Sequence, residues 1–165
     1  MTEQIRLPRL STDHDFDGES FAPIYTTTVT VSGGIARHGR ASGRARSADG
    51  VLDLPLRMPA ELGGDGQGTN PEQLFAAGLA ACFHGALSLV ARQAALDPAA
   101  ISVAASVAFG RDPEDGGYVL RVDLSVMWPG IDPAVAAPLL QKAGALSPYA
   151  KMARQGTATT ITLAS

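Results

Sequence analysis

A long run of small and apolar residues beginning near Asn70 constrains the fold of this chain more than any other segment. Asn70 belongs to the residue types favoured at helix N-caps, and Pro71 suits the first helical position. Glu72 then places a negative charge in the first turn, where the helix dipole favours it. The sequence therefore predicts a long helix from about Pro71 to Ala95, and Cys82 lies in the middle of it.

Shorter patterns on both sides of this helix predict an α+β fold with antiparallel sheet. Alternating or β-branched residues predict strands at Tyr25–Ser32, Val51–Leu56, Ile101–Phe109, Tyr118–Met127 and Thr157–Leu163. Asp49-Gly50 is typical of a hairpin turn, and Pro133–Ala145 is expected to be a second helix capped by Asp132. Because the strands come as hairpins and not as strand–helix–strand units, the sheet is expected to be antiparallel.

Composition limits the function classes. The chain has 165 residues, 45% of them hydrophobic, so residues 23–165 are expected to form a single domain behind a flexible polar arm, residues 1–22. The net charge of −3 gives no reason to expect nucleic acid or an anionic membrane as a partner. No apolar run is expected to reach the roughly 18 residues that span a bilayer, and no secretory signal is evident, so the predicted location is cytoplasmic.

Cys82 is either an inert buried thiol or a protected nucleophile. Because the chain has one cysteine, an intramolecular disulfide and a multi-thiolate metal site are excluded. A nucleophilic thiol needs a nearby cation, since the thiolate is the reactive form. His84 is a poor partner, because residues two apart point roughly 200° apart on a helix. The arginines of segment 35–46 remain as candidates, with Glu72 available to orient one of them.

Glu72 and Cys82 cannot share a site on one straight helix. They are ten residues apart in the sequence, which corresponds to about 15 Å along a helix axis. A kink or a second copy of the chain would be needed to bring them together. Gly78, Ala81 and Gly85 place small residues at helical spacing, which would let another helix approach closely. Both observations favour a homodimer.

Several motifs resemble the signature of the OsmC/Ohr family, the osmotically inducible and organic-hydroperoxide-resistance proteins, over about residues 22–164. The resemblance rests mainly on Glu61-Leu-Gly-Gly64, Thr69-Asn-Pro-Glu-Gln-Leu-Phe-Ala-Ala-Gly78 and Ala80-Ala-Cys-Phe83. Tyr25, Gly33-Gly34, Asp49-Gly50, Pro148-Tyr149 and Arg154-Gln-Gly156 follow in the family's order. The resemblance implies an intertwined homodimer with antiparallel sheets wrapped around two central helices and active sites at the subunit interface.

The resemblance also implies site residues. The family's reactive cysteine corresponds to Cys82 and its carboxylate to Glu72, which would meet Cys82 of the partner subunit. The family's arginine after Gly33-Gly34 has no direct counterpart here, because Ile35 occupies the aligned position. Arg37 is the first choice for this role and Arg40 the second. The family's resolving cysteine corresponds to Ser147, which cannot form a disulfide.

The function that the resemblance implies is a thiol-dependent peroxidase that reduces alkyl or lipid hydroperoxides through Cys82, and it implies no metal or organic cofactor. An external thiol or dithiol would serve as reductant, because Ser147 occupies the resolving position. An apolar substrate pocket is expected from Phe75, Leu79, Phe83 and Met152. The alternative is a non-catalytic family member that binds an apolar ligand, or senses peroxide, at the dimer-interface pocket. A purely structural dimer with an inert thiol is a third possibility.

Overall fold

The computed structural model describes residues 20–35 and 42–164. The chain forms two compact units, Met1–Asn70 and Pro71–Ser165. Most of the predicted N-terminal arm, residues 1–19, and both candidate arginines, Arg37 and Arg40, lie outside the described residues. Each unit has its own antiparallel sheet, and among the described residues the helices longer than a single turn belong to the second unit. The α+β class predicted from the sequence is therefore confirmed.

The first unit contains a three-stranded sheet in the order β1-β2-β3. The strands are β1 (Val29–Ser32), β2 (Gly43–Ser47) and β3 (Asp53–Leu56). The predicted hairpin turn at Asp49-Gly50 is present, with Gly50 at φ 75° and its N–H bonded to the carbonyl oxygen of Ser47 at 3.0 Å. Strand β2 was not predicted, because its glycine and arginines form a weak strand pattern.

The Glu61-Leu-Gly-Gly64 motif makes a tight turn that only glycine allows. A short 3₁₀ helix at Ala60–Leu62 ends at Gly63, which has φ 87°. A Cβ atom on Gly64 would stand 1.9 Å from the carbonyl oxygen of Met58, so no larger residue fits there without moving the backbone. Two further backbone bonds, Thr69 N to Pro55 O at 3.1 Å and Arg57 N to Thr69 O at 2.8 Å, hold the end of this segment to β3.

The second unit begins with helix α1, Pro71–Gln93, close to the predicted span. Its C-terminus is closed by a hydrogen bond from Leu96 N to Ala91 O at 2.9 Å and one from Ala95 N to Arg92 O at 3.0 Å. This pattern is a Schellman motif, and Ala95 occupies the left-handed position with φ 56°. Glycine is the usual residue there, so this end carries local strain.

A two-stranded antiparallel sheet and two shorter helices follow α1. The strands are β4 (Ser102–Arg111) and β5 (Tyr118–Met127), with Ser102 opposite Met127 and Arg111 opposite Tyr118. Helix α2 spans Pro133–Leu146 and helix α3 spans Pro148–Gln155. Asp132 caps α2 as predicted, because its carboxylate accepts a hydrogen bond from Ala134 N at 2.8 Å.

The core of the second unit forms where α1 meets the sheet and the other helices. Its buried members come from α1, the residue just before β4, α2 and α3: Phe83, Leu87, Val90, Ala91, Ile101, Leu139, Ala143 and Ala150. Each large apolar side chain buried in this way contributes about 1.5–3 kcal/mol. The exposed and half-buried residues of β4 alternate along the strand, as expected when one face of a sheet is covered.

Two expectations from the sequence are corrected. The predicted closing strand at Thr157–Leu163 is not a strand: residues 157–164 have no regular structure and lie exposed. Helix α1 is long and apolar enough, by length and composition alone, to cross a membrane, although no such run was expected. The core helix of a globular protein passes the same test, and five residues of α1 are buried.

Candidate functional site

Cys82 lies on α1, on the part of the helix that faces the junction between α2 and α3. The residue is half-buried, and Phe83 beside it is buried in the core of the second unit. Phe83 therefore fixes the rotation of α1 and with it the direction of the thiol. Cys82 is therefore partly accessible as a residue, while Phe83 next to it is packed in the core.

Ser147 meets Cys82 at this junction. Its side-chain hydroxyl donates a hydrogen bond to Sγ of Cys82, with the oxygen and sulfur 3.4 Å apart, although the two residues are 65 positions apart. Ser147 is completely buried, with 0% of its surface exposed. The structure thus brings together the predicted nucleophile and the residue predicted to occupy the resolving position.

Every polar group of Ser147 has a hydrogen-bond partner. The backbone N–H donates to Ala143 O at 2.8 Å and ends α2, and the carbonyl accepts from Lys151 N at 2.9 Å and begins α3. The side-chain oxygen also accepts from Ala150 N at 3.3 Å, which makes Ser147 the N-cap of α3. One residue therefore ends α2, begins α3 and contacts the thiol.

A close contact between Gly78 and Tyr149 packs α3 against α1 one helical turn before Cys82. A Cβ atom at position 78 would come within 2.7 Å of Cε2 of the Tyr149 ring. The absence of a side chain on Gly78 is what lets this ring lie on α1. Since Tyr149 is two residues after Ser147, this contact holds the start of α3 against α1.

Arg154 ties the end of α3 back to α2. Its guanidinium donates to the carbonyl oxygen of Gly144 at 2.9 Å, in the last turn of α2. A cation near the C-terminus of a helix is favoured by the helix dipole. A Cβ atom on Gly144 would lie 3.9 Å from the Phe83 ring, so this part of α2 also packs near the residue beside Cys82.

The remaining predicted residues of α1 and α3 lie around this centre. Glu72 is half-buried in the first turn of α1, about 15 Å along the helix from Cys82. Phe75 on α1 and Met152 on α3 are half-buried, whereas Leu79 is 1% exposed and Phe83 is 6% exposed. His84 points away from the thiol, because its Nε2 lies 3.2 Å from the carbonyl oxygen of Ile101.

Two of the four arginines in segment 35–46 are ion-paired within the first unit. Arg46 Nη2 lies 2.8 Å from Oδ2 of Asp53, and Arg44 Nε pairs with Oδ1 of the same carboxylate. The hydrogen bonds from Arg44 and then from Arg46 hold the pKa of Asp53 below its ordinary value. Arg44 and Arg46 thus have a structural role across β2 and β3, and Arg37 and Arg40, outside the described residues, stay the candidates for Cys82.

Sequence reasoning did not identify Gly144 and did not assign a role to Tyr149 or Arg154. Tyr149 and Arg154 stand in the Pro148-Tyr149 and Arg154-Gln-Gly156 motifs, which were the available signal. No local pattern marks Gly144, because its role at the site depends on its contacts with Phe83 and Arg154, which are distant in the sequence. Within residues 20–35 and 42–164, no group of three or more histidine, cysteine or acidic side chains is arranged to hold a metal ion.

Comparison with known proteins adds to this geometry. The family described as "OsmC-like protein" matches residues 64–162. An organic hydroperoxide resistance protein of Xanthomonas axonopodis pv. citri is 45% identical over 143 residues, covering 86% of this chain and 95% of that protein.

Solved structures of organic hydroperoxide resistance proteins are also similar to this chain in fold and sequence. The crystal structure of the organic hydroperoxide resistance protein OhrB of Bacillus subtilis matches with a TM-score of 0.69 and 39% identity, covering 81% of this chain and 93% of that one. An organic hydroperoxide resistance protein from Elizabethkingia anophelis, with crystallant-derived thiocyanate bound, matches with a TM-score of 0.72 and 37% identity. The alignment with it covers 82% of this chain and 92% of that one.

Proposed function

Because this chain belongs to the OsmC-like family, we propose that it is a thiol-dependent peroxidase that reduces organic hydroperoxides through Cys82. The observation that carries the proposal is the hydrogen bond from Ser147 Oγ to Cys82 Sγ at 3.4 Å, within the segment that matches the family. A polar donor directed at the chain's one cysteine is unlike the purely apolar surroundings of an inert core thiol. The relatives' names give the class of substrate.

The chemistry proceeds in balanced steps. The Cys82 thiolate attacks the distal oxygen of ROOH, the O–O bond breaks, and the departing alkoxide takes a proton to leave as ROH. Cys82 is thereby oxidised to a sulfenic acid. An external thiol then condenses with the sulfenic acid, releasing water and forming a mixed disulfide. A second thiol attacks that disulfide, which regenerates Cys82 and releases the oxidised reductant.

The external reductant is required because the chain has one cysteine and Ser147 stands beside it. A hydroxyl cannot condense with a sulfenic acid to make a disulfide. The sulfenic acid therefore persists until a thiol arrives or a second peroxide molecule oxidises it to sulfinic acid. We expect the enzyme to be inactivated by excess peroxide for this reason.

Apolar hydroperoxides are the proposed substrates. Phe75 and Met152 are half-buried apolar residues of α1 and α3, and Leu79 and Phe83 are the buried residues on either side of Cys82 along α1. Apolar surface near the thiol would favour an alkyl or lipid chain over hydrogen peroxide. Arg37 or Arg40 is the proposed cation that favours the thiolate, and Glu72 is the proposed carboxylate that orients it.

A homodimer is proposed as the active form, and the cytoplasm as its location. Exposed small residues on α1, Ala81 and Gly85, and exposed apolar residues in the tail, Ile161 and Leu163, would be covered by a second copy. Sedimentation should show a dimer at micromolar concentration. Replacing Ile161 and Leu163 by serine should increase the monomer fraction, and Thr160→Ser should not. An active wild-type monomer would contradict the proposal.

A sensor of peroxide, or a protein that binds an apolar ligand, is the second candidate. The observation in its favour is Ser147, because a chain with one thiol stops after a single oxidation unless a reductant reaches it. A sensor would be oxidised stoichiometrically and would not consume further peroxide when a dithiol is present.

Peroxide consumption distinguishes the two candidates. The purified protein is mixed with an organic hydroperoxide and excess dithiol, and peroxide loss is followed with Cys82→Ser as control. Many turnovers by the wild type and none by the variant support the peroxidase. A single equivalent consumed by the wild type supports the sensor. Arg37→Ala and Arg40→Ala, tested separately, should slow Cys82 oxidation unequally, and no effect of either would remove both from the site.

A further inference from the structure

The hydrogen bonds of Ser147 leave its single proton available to Cys82. A serine hydroxyl has one proton to donate and two lone pairs that accept. One lone pair accepts from Ala150 N at 3.3 Å, and the sulfur of Cys82 lies 3.4 Å away on the donor side. The N-cap bond occupies one lone pair and leaves the hydroxyl proton free to be donated to Sγ of Cys82. A thiolate at Cys82 has no proton of its own, so it can only accept this hydrogen bond.

We infer that Ser147 is a positioning residue of this site, whose hydroxyl favours the thiolate form of Cys82 by donating a hydrogen bond to the sulfur. The inference rests on the proposed function. It gives the hydroxyl an active role at the position where the family's second thiol would stand. A hydrogen bond to a charged acceptor is stronger than one to a neutral acceptor, so the bond stabilises the thiolate more than the thiol.

The start of α3 strengthens this donor. The N–H of Ala150 donates to the oxygen of the hydroxyl group whose O–H donates to Cys82, and each hydrogen bond in such a chain polarises the next. Helix α3 has eight residues, and its N-terminus carries partial positive charge. Because Ser147 is 0% exposed, water does not compete for its hydroxyl. The partial positive charge at the start of α3 therefore acts on the Cys82 sulfur through the Ser147 hydroxyl.

The hydroxyl is held in place before any reaction occurs. The backbone of Ser147 bonds to Ala143 in α2 and to Lys151 in α3, and the Tyr149 ring packs on Gly78. No large rearrangement is needed to direct the proton at Cys82. A donor fixed in this way loses little freedom when the thiolate forms.

The other titratable and charged groups on the three helices around Cys82 either contact residues other than Ser147 or are exposed, apart from Glu72, which is half-buried in the first turn of α1. On α1, Glu72 lies in the first turn, His84 contacts Ile101 O and Arg92 is exposed. On α3, Arg154 donates to Gly144 O, Tyr149 packs on Gly78 and Lys151 is exposed. Lys142 on α2 is also exposed. None of the contacts named for these groups involves Ser147, so substituting Ser147 leaves those contacts in place.

The test measures the pH midpoint of thiolate formation at Cys82 in the reduced protein, by ultraviolet absorbance and by the rate of alkylation with iodoacetamide. It needs no peroxide. Ser147→Gly removes the donor, while glycine remains an acceptable N-cap. Ser147→Ala removes both donor and cap, and Ser147→Thr keeps both. Asp132→Ala is the matched control, because it removes the N-cap of α2 and leaves Ser147 unchanged.

We expect the midpoint to rise by about one pH unit or more in Ser147→Gly and Ser147→Ala, which is about tenfold less thiolate below the midpoint. Ser147→Thr and Asp132→Ala should stay close to the wild type. If Ser147→Thr does not fold, the difference between Ser147→Gly and Asp132→Ala decides. An unchanged midpoint in Ser147→Gly would overturn the inference and leave Ser147 as a helix cap.

The outcome is independent of the proposed function. If the midpoint rises but the wild type consumes no peroxide, Ser147 acts on the thiol and the peroxidase proposal fails. If peroxide is consumed and the midpoint of Ser147→Gly does not move, the peroxidase stands and the role of Ser147 is refuted.

Discussion

Replacing Ser147 with cysteine should allow a disulfide with Cys82 and should protect the protein from over-oxidation. The Ser147 oxygen and the Cys82 sulfur are 3.4 Å apart. A disulfide needs sulfur atoms about 2.05 Å apart, so the two groups would have to approach by about 1.4 Å. The longer C–S bond of cysteine covers part of this distance, and small rotations of the side chains can supply the rest.

The expected effect on stability follows from the length of the closed loop. Positions 82 and 147 are 65 residues apart. A cross-link across a loop of about this length is expected to stabilise the folded state by roughly 4 kcal/mol through the entropy of the unfolded chain. Losing the Ser147 N-cap of α3 costs about 1 kcal/mol. The oxidised variant should therefore exceed the wild type by about 3 kcal/mol, and the reduced variant should be weaker by about 1 kcal/mol.

One equivalent of an organic hydroperoxide should produce the disulfide, detected as loss of both free thiols and about 2 Da of mass, the two hydrogens removed. Urea denaturation with and without reductant then gives the free-energy difference. Ala145→Cys is the control, since it adds a thiol at an exposed position two residues away. If Ser147→Cys forms no intramolecular disulfide and gains no resistance to excess peroxide, the conclusion that residues 82 and 147 are in contact is refuted.

Three further changes test the surroundings of the site. Gly78→Ala should press on the Tyr149 ring, costing about 1–3 kcal/mol from overpacking against a propensity gain of up to about 1 kcal/mol, so urea denaturation should show a net loss of stability. Gly144→Ala is the control in α2, because its Cβ would meet its nearest neighbour at 3.7 Å, and it should be neutral or stabilising. Ala95→Gly should stabilise α1 by about 1 kcal/mol, because Ala95 has φ 56°, and an unchanged denaturation midpoint would argue against strain there. In the folded state, the pKa of Asp53 lies below its ordinary value because of its bonds to Arg44 and Arg46. These ion pairs should therefore stabilise the first unit at pH values above the pKa that Asp53 has in the unfolded chain. This stabilisation should be lost progressively as the pH drops below about 5 and through the folded-state pKa. Asp53→Asn should flatten this acid dependence in hydrogen-exchange rates of β2 and β3, and an identical profile in the variant would refute it.

Elements with strong local signals were predicted well. Helix α1 has a proline and an acidic residue at its start, and β5 was placed at Tyr118–Met127, where the structure has it. The Asp132 cap of α2 also follows from local chemistry, because the side chain bonds a backbone N–H two residues on. These signals depend on neighbouring residues only, which is why one sequence is sufficient to find them.

Strand β2 and the surroundings of Cys82 depend on residues far apart in the chain. Strand β2 pairs with β1 and β3, and the Asp53 carboxylate bridges Arg44 and Arg46, so its conformation is decided by partners and not by its own propensity. The contact between Ser147 and Cys82 crosses 65 residues. Family motifs indicated that neighbourhood, while the packing of Tyr149 on Gly78 became visible only in three dimensions.

The tail at Thr157–Leu163 shows why a correct pattern can predict the wrong structure. Its alternation of threonine with apolar residues is typical of a strand, but a strand exists only where another backbone accepts its hydrogen bonds. In the described chain Ile161 is 94% exposed and Leu163 is 100% exposed, so this pattern is not satisfied within residues 157–164. The small residues Ala81 and Gly85 on α1 are also exposed, so the helix face that they form is not packed against another element of the same chain. A second copy of the chain would provide neighbours for both, so these sequence patterns are better explained by the proposed dimer than by a single chain.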